Sequence, residues 1–231
     1  MIDNIKRYSR IMLYSARLVA GRKFWIVVFL PLLWLVIRAA YIMFGGGEKL
    51  GPENAHYLMS VPLSVVAIGF GIRLIAGEID SRTLEIAYTV PGGCHRVWLA
   101  KIVTSVSMLI FSEMLLTLFT TIFFTSVTPG TFYGVLQGTV FYLIAGMAFS
   151  TFFRSEITGA MATAVLFVFN LFIGPGSRIS PFFNPLALDN TEKSQMVSYT
   201  IQNRIFFIIF MAVVALMTFS RVERREKMLG N

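Results

Sequence analysis

The sequence predicts an all-α membrane protein with about six transmembrane helices, preceded by an amphipathic interfacial helix. Of its 231 residues, 56% are hydrophobic and only 14% are charged, whereas about a quarter of the residues of a soluble domain are charged. Its apolar runs approach ~20 residues, the length that crosses ~30 Å of hydrocarbon at ~1.5 Å per residue. Most lysine and arginine residues lie at the ends of these runs, as membrane orientation requires.

The first segment, residues 1–23, is predicted to be the interfacial helix. Its apolar residues recur at helical spacing, and basic residues occupy the rest of the helix surface; the apolar set is Ile5, Tyr8, Met12, Ala16 and Val19, and the basic set is Lys6, Arg7, Arg10, Arg17 and Arg22. This pattern is typical of a helix at the level of the headgroups; a solvated leader is the alternative. No short apolar segment is followed by a small-residue cleavage site, so we expect no cleaved signal peptide.

The predicted spans follow in order, with Pro31 and Pro62 as prolines that membrane helices tolerate. They cover residues 24–44, 58–77, 98–127, 131–153, 157–173 and 201–220. Residues 48–57 are predicted to be a polar loop and Thr128-Pro129-Gly130 a tight turn. The third span, at about 30 residues, is too long for a perpendicular crossing. Small residues at intervals of four or eight in the fourth span predict close helix packing inside the chain, and a subunit interface is the alternative; they are Gly130, Gly134, Gly138, Gly146 and Ser150.

The distribution of positive charge predicts the orientation. Fifteen of the 20 lysine and arginine residues fall on the side of the two termini, four fall on the opposite side and Arg38 lies within a span. The positive-inside rule therefore places both termini in the cytoplasm and the chain in the inner or plasma membrane, as a multi-pass protein. The net charge of +8 then reflects contact with membrane lipids and not a nucleic-acid partner.

The sequence carries no signature of catalysis, so we predict neither catalytic residues nor a metal site. It contains no phosphate-binding loop, no His-Glu-x-x-His and no Gly-x-Ser-x-Gly motif. The single cysteine, Cys94, excludes an intramolecular disulfide and a multi-cysteine metal site. His56 and His95 are predicted on opposite sides of the membrane, where each is expected to be a plain loop or interface residue. A membrane enzyme is therefore disfavoured.

Residues 78–97, between the second and third spans, form the most informative segment. It opens with Glu78 and Asp80, and Ser81 can cap a short helix over 82–89 that Pro91 and two glycines stop. The helix is amphipathic: Leu84 and Tyr88 lie on one face, and the charged residues Glu78, Arg82 and Glu85 lie toward the other. Such a helix, parallel to the membrane, is a docking surface; a plain connecting loop is the alternative.

The segment is similar to one in the permease subunits of type-2 ABC exporters. In that family an acidic residue is followed by Thr-Leu-Glu, a proline, a basic residue and a lysine that opens the third span. The corresponding residues here are Glu78, Thr83-Leu84-Glu85, Pro91, Arg96 and Lys101. The family's usual glycine before Thr-Leu-Glu is Arg82 here, which departs from the family's pattern. Outside this motif, the resemblance covers the whole chain only in layout.

The resemblance implies that residues 1–231 form a single transmembrane permease domain of an ATP-driven exporter. A coupling helix would sit in a groove of a separate cytoplasmic ATPase subunit; its coupling residues would be Glu78, Asp80, Arg82, Leu84, Glu85 and Tyr88. ATP and Mg would be bound by that partner and no cofactor by this chain, and a second copy or a homologous permease would complete a dimer. Residues 174–200 would form short outer re-entrant helices. A channel or membrane scaffold subunit without ATP coupling is the alternative.

Polar residues within the spans are the remaining candidates. Glu113 lies near the middle of the third span, where a charge costs about 2.5–3.5 kcal/mol on insertion scales. Glu113, Asn170 and Arg38 are candidates for a substrate route, and Glu113 alternatively for a contact with a neighbouring subunit. Arg38 and Arg204 lie near outer ends, where snorkelling also explains them. The sequence does not indicate the substrate.

Overall fold

The computed structural model describes residues 14–21, 23–45, 51–80, 94–188 and 193–223. The regular secondary structure of this part of the chain is helical throughout. Its α-helices are α1 (14–20), α2 (Phe24–Met43), α3 (Pro52–Arg73), α4 (Ala76–Asp80), α5 (Cys94–Phe123), α6 (Pro129–Phe153), α7 (Glu156–Ile173) and α8 (Met196–Val222), with 3₁₀ turns at Pro185–Ala187 and Lys193–Gln195.

Six of these helices are long and apolar enough to cross a membrane, namely α2, α3, α5, α6, α7 and α8. Their outward faces carry large apolar side chains that are largely exposed, such as Trp25, Phe172 and Leu216. Water-soluble proteins rarely expose continuous apolar surface on this scale, whereas lipid tails accept it. The predicted all-α, multi-pass membrane architecture is confirmed.

The six long helices run alternately in opposite directions, which gives the bundle two distinct ends. One end holds the start of α2 and the end of α8; we call it the termini end. It also holds α4 and the α6–α7 connection. The opposite end, which we call the loop end, holds residues 124–128, 174–188 and 193–195. Residues 14–20 lie at the termini end, and two members of the predicted apolar face, Ala16 and Val19, are buried there. Val19 belongs to the core of the bundle.

Helix α6 lies at the centre of the bundle and packs most extensively against α3. The two helices approach closely because each has glycine at the contact: a Cβ on Gly71 would collide with the carbonyl oxygen of Leu143, and a Cβ on Gly146 would lie 3.3 Å from the carbonyl oxygen of Ile68. Small residues allow such backbone contact between membrane helices. The predicted use of the small residues of α6 inside the chain is confirmed for Gly134, Gly138 and Gly146.

Three predicted boundaries at the loop end were wrong, one of them the start of α8, which lies at Met196 and not at 201. Helix α3 begins at Pro52 and not at residue 58, because Pro52 occupies its first turn, where a missing N–H costs nothing, and Glu53 follows it there. The expected polar loop is therefore largely helix. Helix α5 ends at Phe123 and not at 127. The backbone of Thr128 is extended, since a residue before proline avoids helical geometry. Its side-chain oxygen accepts a hydrogen bond from the Thr131 backbone N–H at 3.2 Å. The third span is displaced towards the termini end, where α5 starts at Cys94.

Residues 174–188, which we call the inserted segment, turn back into the loop end. Phe182 is fully buried and packs against the rings of Tyr142 and Phe167. The carbonyl oxygen of Pro181 lies 2.7 Å from the position of a Cβ on Gly138. Gly138 is nine residues into α6, so the segment reaches about 13 Å into the bundle.

Two asparagines fix the inserted segment to the surrounding helices. Asn203 Nδ2, on α8, donates hydrogen bonds to the carbonyls of Arg178 (2.7 Å) and Ser180 (3.1 Å). Asn184 Nδ2 donates to the carbonyl of Glu53 at the start of α3 (2.7 Å). The segment is thereby tied to both α3 and α8. Its regular structure is a single 3₁₀ turn at Pro185–Ala187, within the part of it that the structure describes.

Candidate functional site

Glu78, the first residue of the predicted coupling segment, bonds to residues that directly follow the end of that segment. This residue lies on α4, which follows α3 after a bend at Leu74. Glu78 Oε1 accepts a hydrogen bond from Lys101 Nζ at 2.6 Å, and Oε2 accepts one from Trp98 Nε1 at 2.8 Å. Lys101 Nζ also donates to the Leu74 carbonyl at 3.1 Å. We call these four residues the Glu78 network.

The Glu78 network is sheltered from solvent. The side chain of Lys101 is 4% exposed and that of Glu78 is 14% exposed. Charges so deep are tolerated only when they are paired and hydrogen-bonded, and here both carboxylate oxygens and the ammonium have partners. Because Glu78 precedes residues 81–93 and Lys101 follows them, this network holds the two ends of that stretch together.

A second connection joins α4 to the start of α7. Asp80 Oδ2 accepts a hydrogen bond from the backbone N–H of Glu156 at 3.0 Å. The first N–H groups of a helix have no partner within it, so a carboxylate at this place is favourable. The Glu156 side chain lies 3.6 Å from Arg73 on α3, in a pair whose arginine is about half exposed. Helices α3, α4 and α7 are therefore linked at the termini end.

These contacts change the interpretation of two of the six predicted coupling residues. We expected Glu78 on a charged outer face, yet both of its oxygens bond within the chain. Glu78 and Asp80 thus attach the coupling segment to the bundle. Arg82, Leu84, Glu85 and Tyr88 lie outside the described residues, and their contact with a partner stays a prediction.

The sequence pattern did not identify Trp98 as a member of this site, and it treated Lys101 only as the residue that opens the third span. A usable signal was present: an acidic residue directly before a loop and a lysine directly after it can pair when the loop connects neighbouring helices. No protein-family model, curated protein or solved structure matches the chain. Its function is therefore inferred from its own residues and their geometry.

The three candidate residues for a substrate route lie apart. Glu113 is fully buried in α5, and neither of its carboxylate oxygens has a hydrogen-bond partner among the described residues. Asn170 is buried on α7 and donates to the carbonyl of Leu166 in its own helix at 3.0 Å. Arg38 is half-buried on α2, beside the ring of Tyr41. No hydrogen bond or ion pair joins any two of these three residues, all of which the structure describes.

Arg204 does not snorkel, contrary to the simplest expectation for an arginine near a helix end. Its Nη1 donates to Oε1 of the buried Gln137 at 3.1 Å, and its guanidinium carbon lies 5.2 Å from the centre of the Tyr133 ring. The side chain therefore points into the bundle. The bond to Gln137 provides a polar partner at a depth where water is scarce, which is what an intramembrane arginine requires.

His56 is also part of this polar region, which corrects its assignment as a plain loop or interface residue. It belongs to α3 and is 1% exposed. A Cβ on Gly134 would lie 2.7 Å from His56 Nε2 and 2.6 Å from Arg204 Nη2, so the glycine leaves space that both side chains use. The misassignment has the same origin as the wrong start of α3.

Proposed function

We propose that this chain is the transmembrane permease subunit of an ATP-driven ABC exporter that works with separate cytoplasmic ATPase subunits. The observation that carries the proposal is the segment from Glu78 to Lys101. It combines the sequence order that resembles the exporter permeases with a location between two membrane-crossing helices, and its two ends are bonded to each other by a sheltered ion pair.

The contacts at the termini end are suited to passing a displacement into the membrane. A partner that moves residues 81–93 would act on α4 and α5 through the Glu78–Lys101 pair. It would act on α7 through Asp80 and the backbone of Glu156. Because packed helices move as rigid elements, such a displacement changes how helices lie against one another within the membrane.

The energy source must lie on a partner, since the sequence has no phosphate-binding loop. Carboxylates such as Glu85 can make charge-assisted bonds to basic groups of an ATPase subunit, and Leu84 and Tyr88 can fill the apolar part of its groove. ATP and Mg belong to that subunit. The exposed apolar faces of α2, α7 and α8 leave room for a second permease copy or a homologous permease as well as for lipid.

Charge reversal at Glu85 tests this proposal. The chain is coexpressed with a candidate ABC ATPase subunit, and copurification and ATP turnover in reconstituted membranes are measured. Glu85→Lys is expected to lower association or substrate-dependent turnover at least about tenfold, because losing one member of a desolvated charge pair costs roughly 2–5 kcal/mol. Membrane insertion should be unchanged. Lys193→Glu, at the loop end, is the matched charge reversal and should have no effect.

The outcome that would overturn the proposal is equally direct. A Glu85→Lys chain that binds the ATPase and supports transport as well as the unchanged chain would remove the coupling role. Failure of any ATPase to copurify with the unchanged chain would instead favour a channel or scaffold subunit without ATP coupling.

A further inference from the structure

A large cleft opens on the side of the bundle between α2 and α3, near the loop end. Its volume is about 1010 Å³, at the upper end of the roughly 300–1,000 Å³ that small-molecule sites occupy. Two charged residues line it, Arg38 from α2 and Glu53 from α3, together with the rings of Trp34, Tyr41 and Tyr57. The inserted segment closes it on one side. Neither charged residue takes part in the Glu78 network or in the contacts of Arg204 and His56.

The cleft continues towards the middle of the bundle as an apolar groove of about 310 Å³ between the same two helices. Trp34 and Ile37 line both the cleft and the groove, and Leu30 and Val65 lie farther along it. These four side chains are about half exposed at the surface of the bundle. From Tyr41 to Leu30 is eleven residues, or about 16 Å of helix, which matches one leaflet of a ~30 Å hydrocarbon core.

The two charges stand in a definite order along this path. Glu53 lies in the first turn of α3, at the outermost level of the loop end. Arg38 lies five residues before the end of α2, about 7 Å deeper. Neither forms an ion pair with the other or with another residue that the structure describes. From the loop end inwards, the cleft therefore presents a carboxylate, a guanidinium and an apolar groove.

We propose that this cleft binds one membrane phospholipid with a zwitterionic, ammonium-bearing headgroup. In such a lipid the ammonium lies outermost, the phosphate lies next and the acyl chains follow, which is the order complementary to Glu53, Arg38 and the groove. Arginine binds phosphate with charge-assisted hydrogen bonds, and aromatic rings at this level add favourable contacts to an ammonium. A lipid with only an anionic headgroup, such as phosphatidylglycerol, would also place its phosphate at Arg38, but it would bring no ammonium to Glu53 and would lose that attraction.

The test is native mass spectrometry of the full chain in detergent, titrated with phosphatidylethanolamine and phosphatidylglycerol of identical acyl chains. Phosphatidylethanolamine should bind several-fold more tightly. Arg38→Gln should weaken both lipids about tenfold, the size of a lost charge-assisted hydrogen bond. Glu53→Gln should weaken only phosphatidylethanolamine and abolish the preference. Arg154→Gln, at the exposed termini end, is the matched control and should change neither.

Three results would overturn this inference: equal binding of the two lipids, preference for phosphatidylglycerol, or insensitivity to both cleft variants. A groove-filling variant, Val65→Trp, tests whether the acyl chains of the bound lipid occupy the groove. It should weaken lipids with long acyl chains more than lipids with short ones, and equal weakening would count against the groove. No ATPase is present in these measurements, so their outcome is independent of the exporter proposal.

Discussion

Removal of the Glu78 carboxylate should be among the most destabilising single changes at the termini end. In Glu78→Ala, Lys101 loses its 2.6 Å partner and retains only the Leu74 carbonyl. With 4% of its side chain exposed, the ammonium cannot recover its hydration. Breaking a buried ion pair by removing one partner costs about 3–5 kcal/mol, and the bond from Trp98 is lost as well.

A second change should relieve most of this penalty. In the double variant Glu78→Ala/Lys101→Met no buried charge remains, and methionine has an apolar side chain of similar length. Replacing a buried pair by apolar groups is often close to neutral. We therefore expect the double variant to be more stable than Glu78→Ala alone, with a coupling free energy of at least about 2 kcal/mol between the two positions.

Unfolding of the purified chain in mixed micelles, followed by tryptophan fluorescence, measures these free energies. Arg73→Ala provides the control. The Arg73–Glu156 pair lies at the same end, but its atoms are 3.6 Å apart and its arginine side chain is 51% exposed. Such pairs contribute at most about 1 kcal/mol. If Glu78→Ala costs no more than Arg73→Ala, or if the double variant shows the sum of its single effects, the pair does not hold the segment as inferred.

Three further predictions concern the rest of the bundle. In a cysteine-free background, Arg154→Cys and Ile179→Cys should be labelled by an impermeant maleimide from opposite sides of the membrane; labelling of both from outside would contradict the six-span topology. Gly71→Ala should lower the unfolding free energy by about 1–3 kcal/mol through overpacking against α6, whereas Gly69→Ala, which meets no atom within 4 Å, should change the thermal midpoint little. Glu113→Gln should leave stability unchanged or raise it, because no described residue bonds to its buried carboxylate and such a group is costly; a clear loss of stability would show that its charge has a partner.

The long helices could be predicted from sequence because a bilayer imposes a length and an apolar composition on each span. The predicted helix boundaries were less accurate where a helix includes polar residues near its end. His56 resembles a loop residue in the sequence, yet α3 includes it because the helix starts at Pro52. Hydropathy records the average character of a stretch and not the partner that satisfies an individual polar group.

The candidate site was predicted only in part, because its contacts also depend on individual partners. The order of residues from Glu78 to Lys101 identified the segment, but pairing between its ends depends on how α3 and α5 lie side by side. The same holds for Arg204, whose bond to Gln137 joins positions 67 residues apart in sequence. The close contact at Gly146 was easier to predict, since small residues in membrane helices generally mark backbone contact.

The contacts of the inserted segment determine how often it leaves the bundle. Withdrawing Phe182 into water would cost about 1.5–3 kcal/mol, and the three hydrogen bonds from Asn184 and Asn203 would each cost about 0.5–1.5 kcal/mol. A difference of only ~3 kcal/mol leaves the withdrawn state more than about a hundredfold rarer. The inserted segment should therefore remain packed against α6 in all but about one molecule in a hundred.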